Sequence, residues 1–129
     1  QVLPELQGKL TANAVRVPTP NVSLAIINLR FAKDITLEEL NDFLRQKACH
    51  SDLKEQIGFT NSAEVVSTDF VGDRHAGIID SAATIVNGNK CVLYVWYDNE
   101  FGYTAQLLGL AKEMVGLTYQ RYPNFSEST

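Results

Sequence analysis

Methionine and tryptophan each occur once in this chain, as Met114 and Trp96, and cysteine and histidine twice each. The four soft or imidazole side chains, Cys49, His50, His75 and Cys91, form no CxxC pair and no spacing of a zinc or haem site, so no metal is expected. Two unpaired cysteines on different predicted elements favour a reducing, cytoplasmic setting. Positive charge is in deficit: 11 lysines and arginines face 15 acidic residues, a net charge of -4. That balance, with no basic stripe interleaved with aromatics, argues against nucleic acid as a partner. The longest apolar stretch, around Leu24 to Leu29, is far too short to cross a bilayer, and no secretory signal opens the chain, so no membrane role is expected. There is also no Gly-rich phosphate loop, which excludes a dinucleotide-binding unit within these residues. The chain opens on Gln1 rather than Met, which is expected of a processed product or of a piece of something longer.

What is present suits one globular domain: 129 residues, 45% hydrophobic and 20% charged. Leu10 to Val17 alternates as a strand, with Leu10, Ala12, Ala14 and Arg16 on one face, until Pro18 and Pro20 end the ladder. Val22 to Phe31 reads as a second strand, apolar on both faces and therefore central and covered. Thr36 with Glu39 is a capping box opening a helix whose Leu37, Leu40, Phe43 and Leu44 recur at helical spacing. Val65 to Phe70 and Gly77 to Asp80 read as short strands. Thr84 to Val86, Asn87-Gly88-Asn89 and Cys91 to Tyr97 read as a hairpin, since Asn-Gly tolerates the positive φ such turns need. A last helix is expected from about Glu100 to Leu117, with Leu107, Leu110, Met114 and Leu117 along one stripe. A polar tail, residues 120–129, is expected to be loosely ordered. The sum is an α+β fold with a largely antiparallel sheet, helices packed on one face and a C-terminal helix.

Two strings carry candidate chemistry. In Arg16-Val-Pro-Thr-Pro-Asn-Val-Ser23, a permanent cation precedes a double X-Pro brace, and its planar fork of donors suits phosphate oxygens. The competing reading of Arg16 is a solvated strand-end residue or an internal ion pair. In Trp96-Tyr-Asp-Asn-Glu-Phe-Gly-Tyr103, Asn99 offers a donor and an acceptor side by side where a strand gives way to a helix, matching another primary amide. Its competing reading is a helix cap, by Asp98 or Asn99. Tyr103 lies one helical turn beyond Asn99. Tyr94 and Trp96 share one strand face and Tyr97 takes the other, as core residues. His50 complements a helix C-terminus, His75 lies near Asp73 in a turn-rich stretch, and Cys49 and Cys91 read as small packed hydrophobes.

The wording of the two strings, with Leu3 to Thr11, Ile57-Gly-Phe-Thr60 and Val66-Ser-Thr-Asp-Phe70, resembles phosphorylating glyceraldehyde-3-phosphate dehydrogenase over nearly the whole chain except the tail. The resemblance implies that residues 1–119, including a terminal helix over 100–118, are the C-terminal portion of the catalytic domain. It implies NAD or NADP as cofactor, glyceraldehyde 3-phosphate and inorganic phosphate as ligands, and a homotetramer in the complete protein. It further implies that Arg16 binds phosphate of the substrate or the incoming phosphate, that Asn99 holds the nicotinamide carboxamide, and that Tyr103 lies near that ring. The family's catalytic cysteine and histidine match nothing here, so no catalytic residue is assigned and the chain alone is expected to be inactive. Thr11-Ala12-Asn13-Ala14 departs from the commoner Thr-Gly-Met-Ala before the arginine. Erythrose-4-phosphate dehydrogenase is the enzymatic alternative, disfavoured by Pro20 and Tyr97. A non-catalytic oligomerisation module is the alternative of another class.

Overall fold

The computed structural model of the protein describes residues 3–117. Four strands, β1 (Ser23–Arg30), β2 (Ile57–Thr60), β3 (Gly77–Asn87) and β4 (Lys90–Tyr97), form one sheet in the order β1-β4-β3-β2. β4 pairs antiparallel with β1 and β3, while β2 joins β3 in parallel, so the expected α+β sheet is largely antiparallel with one parallel edge. Helix α1 (Leu37–His50) packs on β2 and β3, and α2 (Phe101–Met114) follows β4. The polar tail over residues 120–129 lies outside the described residues.

Local chemistry sets several of these elements. The Thr36 hydroxyl accepts from the Glu39 amide at 3.2 Å while the Glu39 carboxylate accepts from the Thr36 amide at 2.9 Å, the reciprocal box read from the sequence. At the β3–β4 turn the positive φ falls on Gly88 alone, at 58°. Phe31 N–H donates to the Asn89 carbonyl at 2.7 Å, and Asn89 Nδ2 donates to the Phe31 carbonyl at 3.1 Å, so the turn is bound to the end of β1. Alternation along β4 then divides the sheet. Cys91 and Leu93 join Leu40 of α1 in the core, with Phe31, Ile35, Leu44, Val86 and Val95 packed around them. On the other face Trp96 stacks on Phe70, ring centroids 5.5 Å apart.

Several expectations are corrected. Residues 10–17 form no strand; all are exposed and irregular. An alternating pattern makes a strand only when a neighbour takes up its backbone donors and acceptors, and none does so among the described residues. The stretch expected as a strand over Val65 to Phe70 is a 3-10 turn at Ser67–Phe70, because the Asp69 carboxylate accepts from Val66 N–H at 2.8 Å and closes the chain on itself. The two short strands expected at Gly77 to Asp80 and Thr84 to Val86 are one strand, β3. Its register slips between Asp80 and Ile85, where five steps on β3 oppose two on β4. Buried Asp80 fills that irregularity, accepting from Ala83 N–H at 3.1 Å and from Trp96 Nε1–H at 3.1 Å. In α1 only Leu40 and Ala48 are buried; Leu37 and Phe43 are exposed, and Lys47 Nζ lies 5.5 Å over the Phe43 ring. Cys49, one step of about 100° around the helix from Ala48, is exposed rather than packed.

The second strand is not central either. β1 is an edge, with Ile26 56% exposed and Leu24, Ile27 and Leu29 each 38% exposed. Leu107, Leu110, Met114 and Leu117 of the C-terminal stripe are likewise exposed. Open edges and contiguous apolar faces promote association. The isolated 129-residue chain is therefore expected to elute above its 14.3 kDa mass in light scattering, increasingly with concentration. A concentration-independent monomer would contradict this.

Candidate functional site

The register of β1 against β4 decides where the two strings lie. Ser23 pairs with Tyr97, so the end of the first string and the start of the second meet at one end of the sheet. There the chain departs from ordinary backbone. Val22 has φ 70°, left-handed geometry that a β-branched residue adopts at a cost of about 1–2 kcal/mol. Asn21 holds it: its Oδ1 accepts from Val22 N–H at 2.7 Å, and its Nδ2 donates to Asp98 Oδ2 at 2.9 Å.

Asp98 is only 3% exposed, and its carboxylate accepts from four donors. Oδ2 accepts from Asn21 Nδ2 and from Gly72 N–H at 3.0 Å; Oδ1 accepts from Glu100 N–H at 3.1 Å and Phe101 N–H at 2.9 Å. Asp98 thus satisfies the leading amides of α2, and of the two residues considered as caps it is the one that performs the task. The backbone N–H of Gly72, first, and then that of Phe101 hold its carboxyl below the ordinary value of 3.8 against the opposing effect of burial.

With Asp98 turned inward, Asn99 is left exposed, and its Nδ2 donates to Ser23 Oγ at 3.1 Å. One N–H of the amide is engaged; the carbonyl oxygen and the other N–H have no partner among the described residues. Tyr103, 70% exposed, stands on the first turn of α2. Arg16 is exposed, on irregular backbone and not on the alanine-lined strand face expected, and has no hydrogen bond or ion pair among the described residues. Five residues of chain place its Cα within roughly 17 Å of that of Asn21.

α2 is seated by the loop before β3. An added Cβ at Gly102 would lie 2.6 Å from the His75 carbonyl oxygen, so only glycine allows this approach. Gln106 Nε2 donates to the carbonyls of Glu55 and Arg74 at 3.1 and 3.0 Å. A Cβ at Gly58 of β2 would meet Ile78 Cγ1 at 2.9 Å and the His75 ring at 3.1 Å. His75 Nδ1 lies 2.6 Å from Asp73 Oδ1, with both side chains about one-third exposed. His50 ends α1, beside its C-terminal dipole. Burial pushes the Cys91 thiol above its ordinary 9.0, the reverse of what a nucleophile needs. Among the described residues no group of three or more His, Cys, Asp or Glu is placed to hold a metal, and no helix is long and apolar enough to cross a membrane.

Residues 1–99 match the family described as glyceraldehyde 3-phosphate dehydrogenase, C-terminal domain. The chain belongs to that family. It is 59% identical over 123 residues to the glyceraldehyde-3-phosphate dehydrogenase-like protein of Pseudomonas aeruginosa (strain UCBPP-PA14), covering 95% of this chain and 27% of that one. Over 111 residues it is 49% identical to glyceraldehyde-3-phosphate dehydrogenase 2 of Mucor circinelloides f. lusitanicus, covering 85% of this chain and 32% of the relative. Over 115 residues it is 45% identical to glyceraldehyde-3-phosphate dehydrogenase of Glossina morsitans morsitans, at 88% and 34% coverage. The chain therefore spans about a third or less of the length of these glyceraldehyde-3-phosphate dehydrogenases.

The sequence singles out Asn99 as a candidate and Asp98 as a possible cap, but gives no part to Asn21 or Ser23. Both lie inside the first string, and polar residues flanking a strand end on both paired strands were the available signal. Gly72 carried none.

Asp98 makes acid stability a test of this arrangement. Its folded-state value is lower than its unfolded one, so its contribution is complete above about pH 4 and is lost as pH falls through the depressed value. Asp98→Asn is expected to cost about 1–3 kcal/mol at pH 7 and to flatten the acid limb of stability below pH 4. Urea midpoints from pH 3 to 7 measure both, and parallel curves for the two proteins would refute the role given to this carboxylate.

Proposed function

We propose that this chain supplies the phosphate-binding and carboxamide-binding portion of the catalytic domain of a glyceraldehyde-3-phosphate dehydrogenase. The whole enzyme oxidises glyceraldehyde 3-phosphate with NAD or NADP and joins inorganic phosphate to the carbonyl carbon, giving an acyl phosphate. The observation that supports this most is the hydrogen bond from Asn99 to Ser23, 3.1 Å, which ties the second string to the first at one sheet end. Family membership and relatives named glyceraldehyde-3-phosphate dehydrogenase support the reaction class.

Each residue has a distinct part. Asn99 pairs its free amide edge with the nicotinamide carboxamide and so fixes which ring face is offered. The cofactor, when bound, accepts hydride. Arg16 binds phosphate oxygens through its guanidinium fork, holding the substrate's phosphate or the incoming one and offsetting negative charge. Tyr103 borders the ring. The nucleophile and the base come from outside these 129 residues, in keeping with the raised thiol of Cys91. The complete protein is a cytoplasmic homotetramer, and the isolated chain is inactive.

In the protein at its full natural length, Arg16→Leu is expected to raise KM for a phosphorylated ligand and to lower kcat. Removal of a charge-assisted contact should reduce kcat/KM roughly 10- to 100-fold. Steady-state kinetics with glyceraldehyde 3-phosphate and with phosphate varied in turn checks this. Unchanged constants would take Arg16 out of the site.

A further inference from the structure

We propose that Ser23 is a positioning residue for Asn99: its hydroxyl sets the amide's rotation and thereby the affinity for the nicotinamide end of the cofactor. This rests on the carboxamide role proposed for Asn99. Three observations meet at this one hydroxyl. Asn99 is exposed, and Ser23 Oγ is the partner its side chain has among the described residues, at 3.1 Å. An exposed amide with nothing holding it rotates freely, and a ligand must then repay that lost freedom on binding.

Ser23 itself is fixed from two sides. It is the first residue of β1, paired with Tyr97, two positions before Asn99. Directly before it stands Val22 at φ 70°, which is tied through Asn21 to Asp98, the neighbour of Asn99. The backbone excursion and the inward-turned carboxylate therefore brace both partners of the Ser23–Asn99 bond from the same point. With one N–H held by Ser23, the amide presents its carbonyl oxygen and remaining N–H in one orientation, as two-point recognition of a primary amide requires. A hydroxyl is sufficient for this, since it accepts from the amide N–H; a methyl is not.

The test uses the full-length protein that carries this chain, with dissociation constants for NAD and NADP and for ADP-ribose, which lacks the nicotinamide. Ser23→Ala and Ser23→Cys are expected to raise the dinucleotide dissociation constant roughly 3- to 10-fold, the loss of one hydrogen bond. ADP-ribose binding is expected to stay unchanged, Ser23→Thr to restore affinity, and Ser23→Ala to add nothing in an Asn99→Ala background. If Asn99→Ala weakens dinucleotide binding while both Ser23 variants bind like the wild type, the inference on Ser23 fails and the role of Asn99 stands. If Asn99→Ala itself binds normally, both fail. Equal weakening of ADP-ribose and dinucleotide by the Ser23 variants, with a lowered melting temperature, reduces Ser23 to a packing residue and overturns the proposal. The pairing of Ser23→Cys with Ser23→Ala keeps the comparison available should either fold poorly.

Discussion

One buried carboxylate organises the end of the sheet at which the candidate site residue Asn99 stands. Asp98 gathers two donors on each oxygen: a side-chain amide from the segment before β1, a backbone amide from the loop after the 3-10 turn, and two amides from the start of α2. Those four donors come from three separate stretches of chain, brought together by strand pairing that is long-range in sequence. A charge held this way is fully compensated although it is nearly inaccessible, which is the condition under which burial of an ionised group is tolerated. The exposed residue beside it can then project outward without moving.

The same point explains why a strained backbone is kept. Val22 gains nothing locally from a left-handed conformation, but that conformation turns the chain from the irregular stretch before it into β1 with Asn21 facing Asp98 and Ser23 facing Asn99. The cost is offset by fixed hydrogen bonds on either side, so the strain is stored next to the groups whose placement it determines.

How much of this was legible depends on the range of the interaction concerned. The capping box at Thr36 and Glu39, the Asn87-Gly88 turn and the α+β class follow from contacts within a few residues, and these hold. Ser67-Thr68-Asp69 shows local chemistry acting against pattern: a side-chain acceptor takes up the backbone amide of Val66 that a strand would have paired. Leu10 to Val17 fails for the opposite reason, because alternation specifies a face but supplies no neighbour. The apolar character of β1 on both faces registers a need for cover, and the cover is not among the described residues. In the candidate site, residue types and motif wording singled out Asn99 as a candidate and Asp98 as a possible cap; that Ser23 meets Asn99 and Asn21 meets Asp98 depended on a register no single segment contains. Family membership follows from residues 1–99, while the roles of Arg16, Asn99 and Tyr103 are proposals.

The turn-rich segment around Asp73 and His75 has a consequence for how this fold can vary. Surface loops ordinarily accept insertions with little penalty. Here α2 dispenses with a side chain at Gly102 to approach the His75 carbonyl, and a Cβ at Gly58 of β2 would crowd Ile78 and then the His75 ring. Adding or removing a residue there would push two elements at once, so this exposed loop is length-locked, and tolerance of indels must be sought elsewhere on the surface.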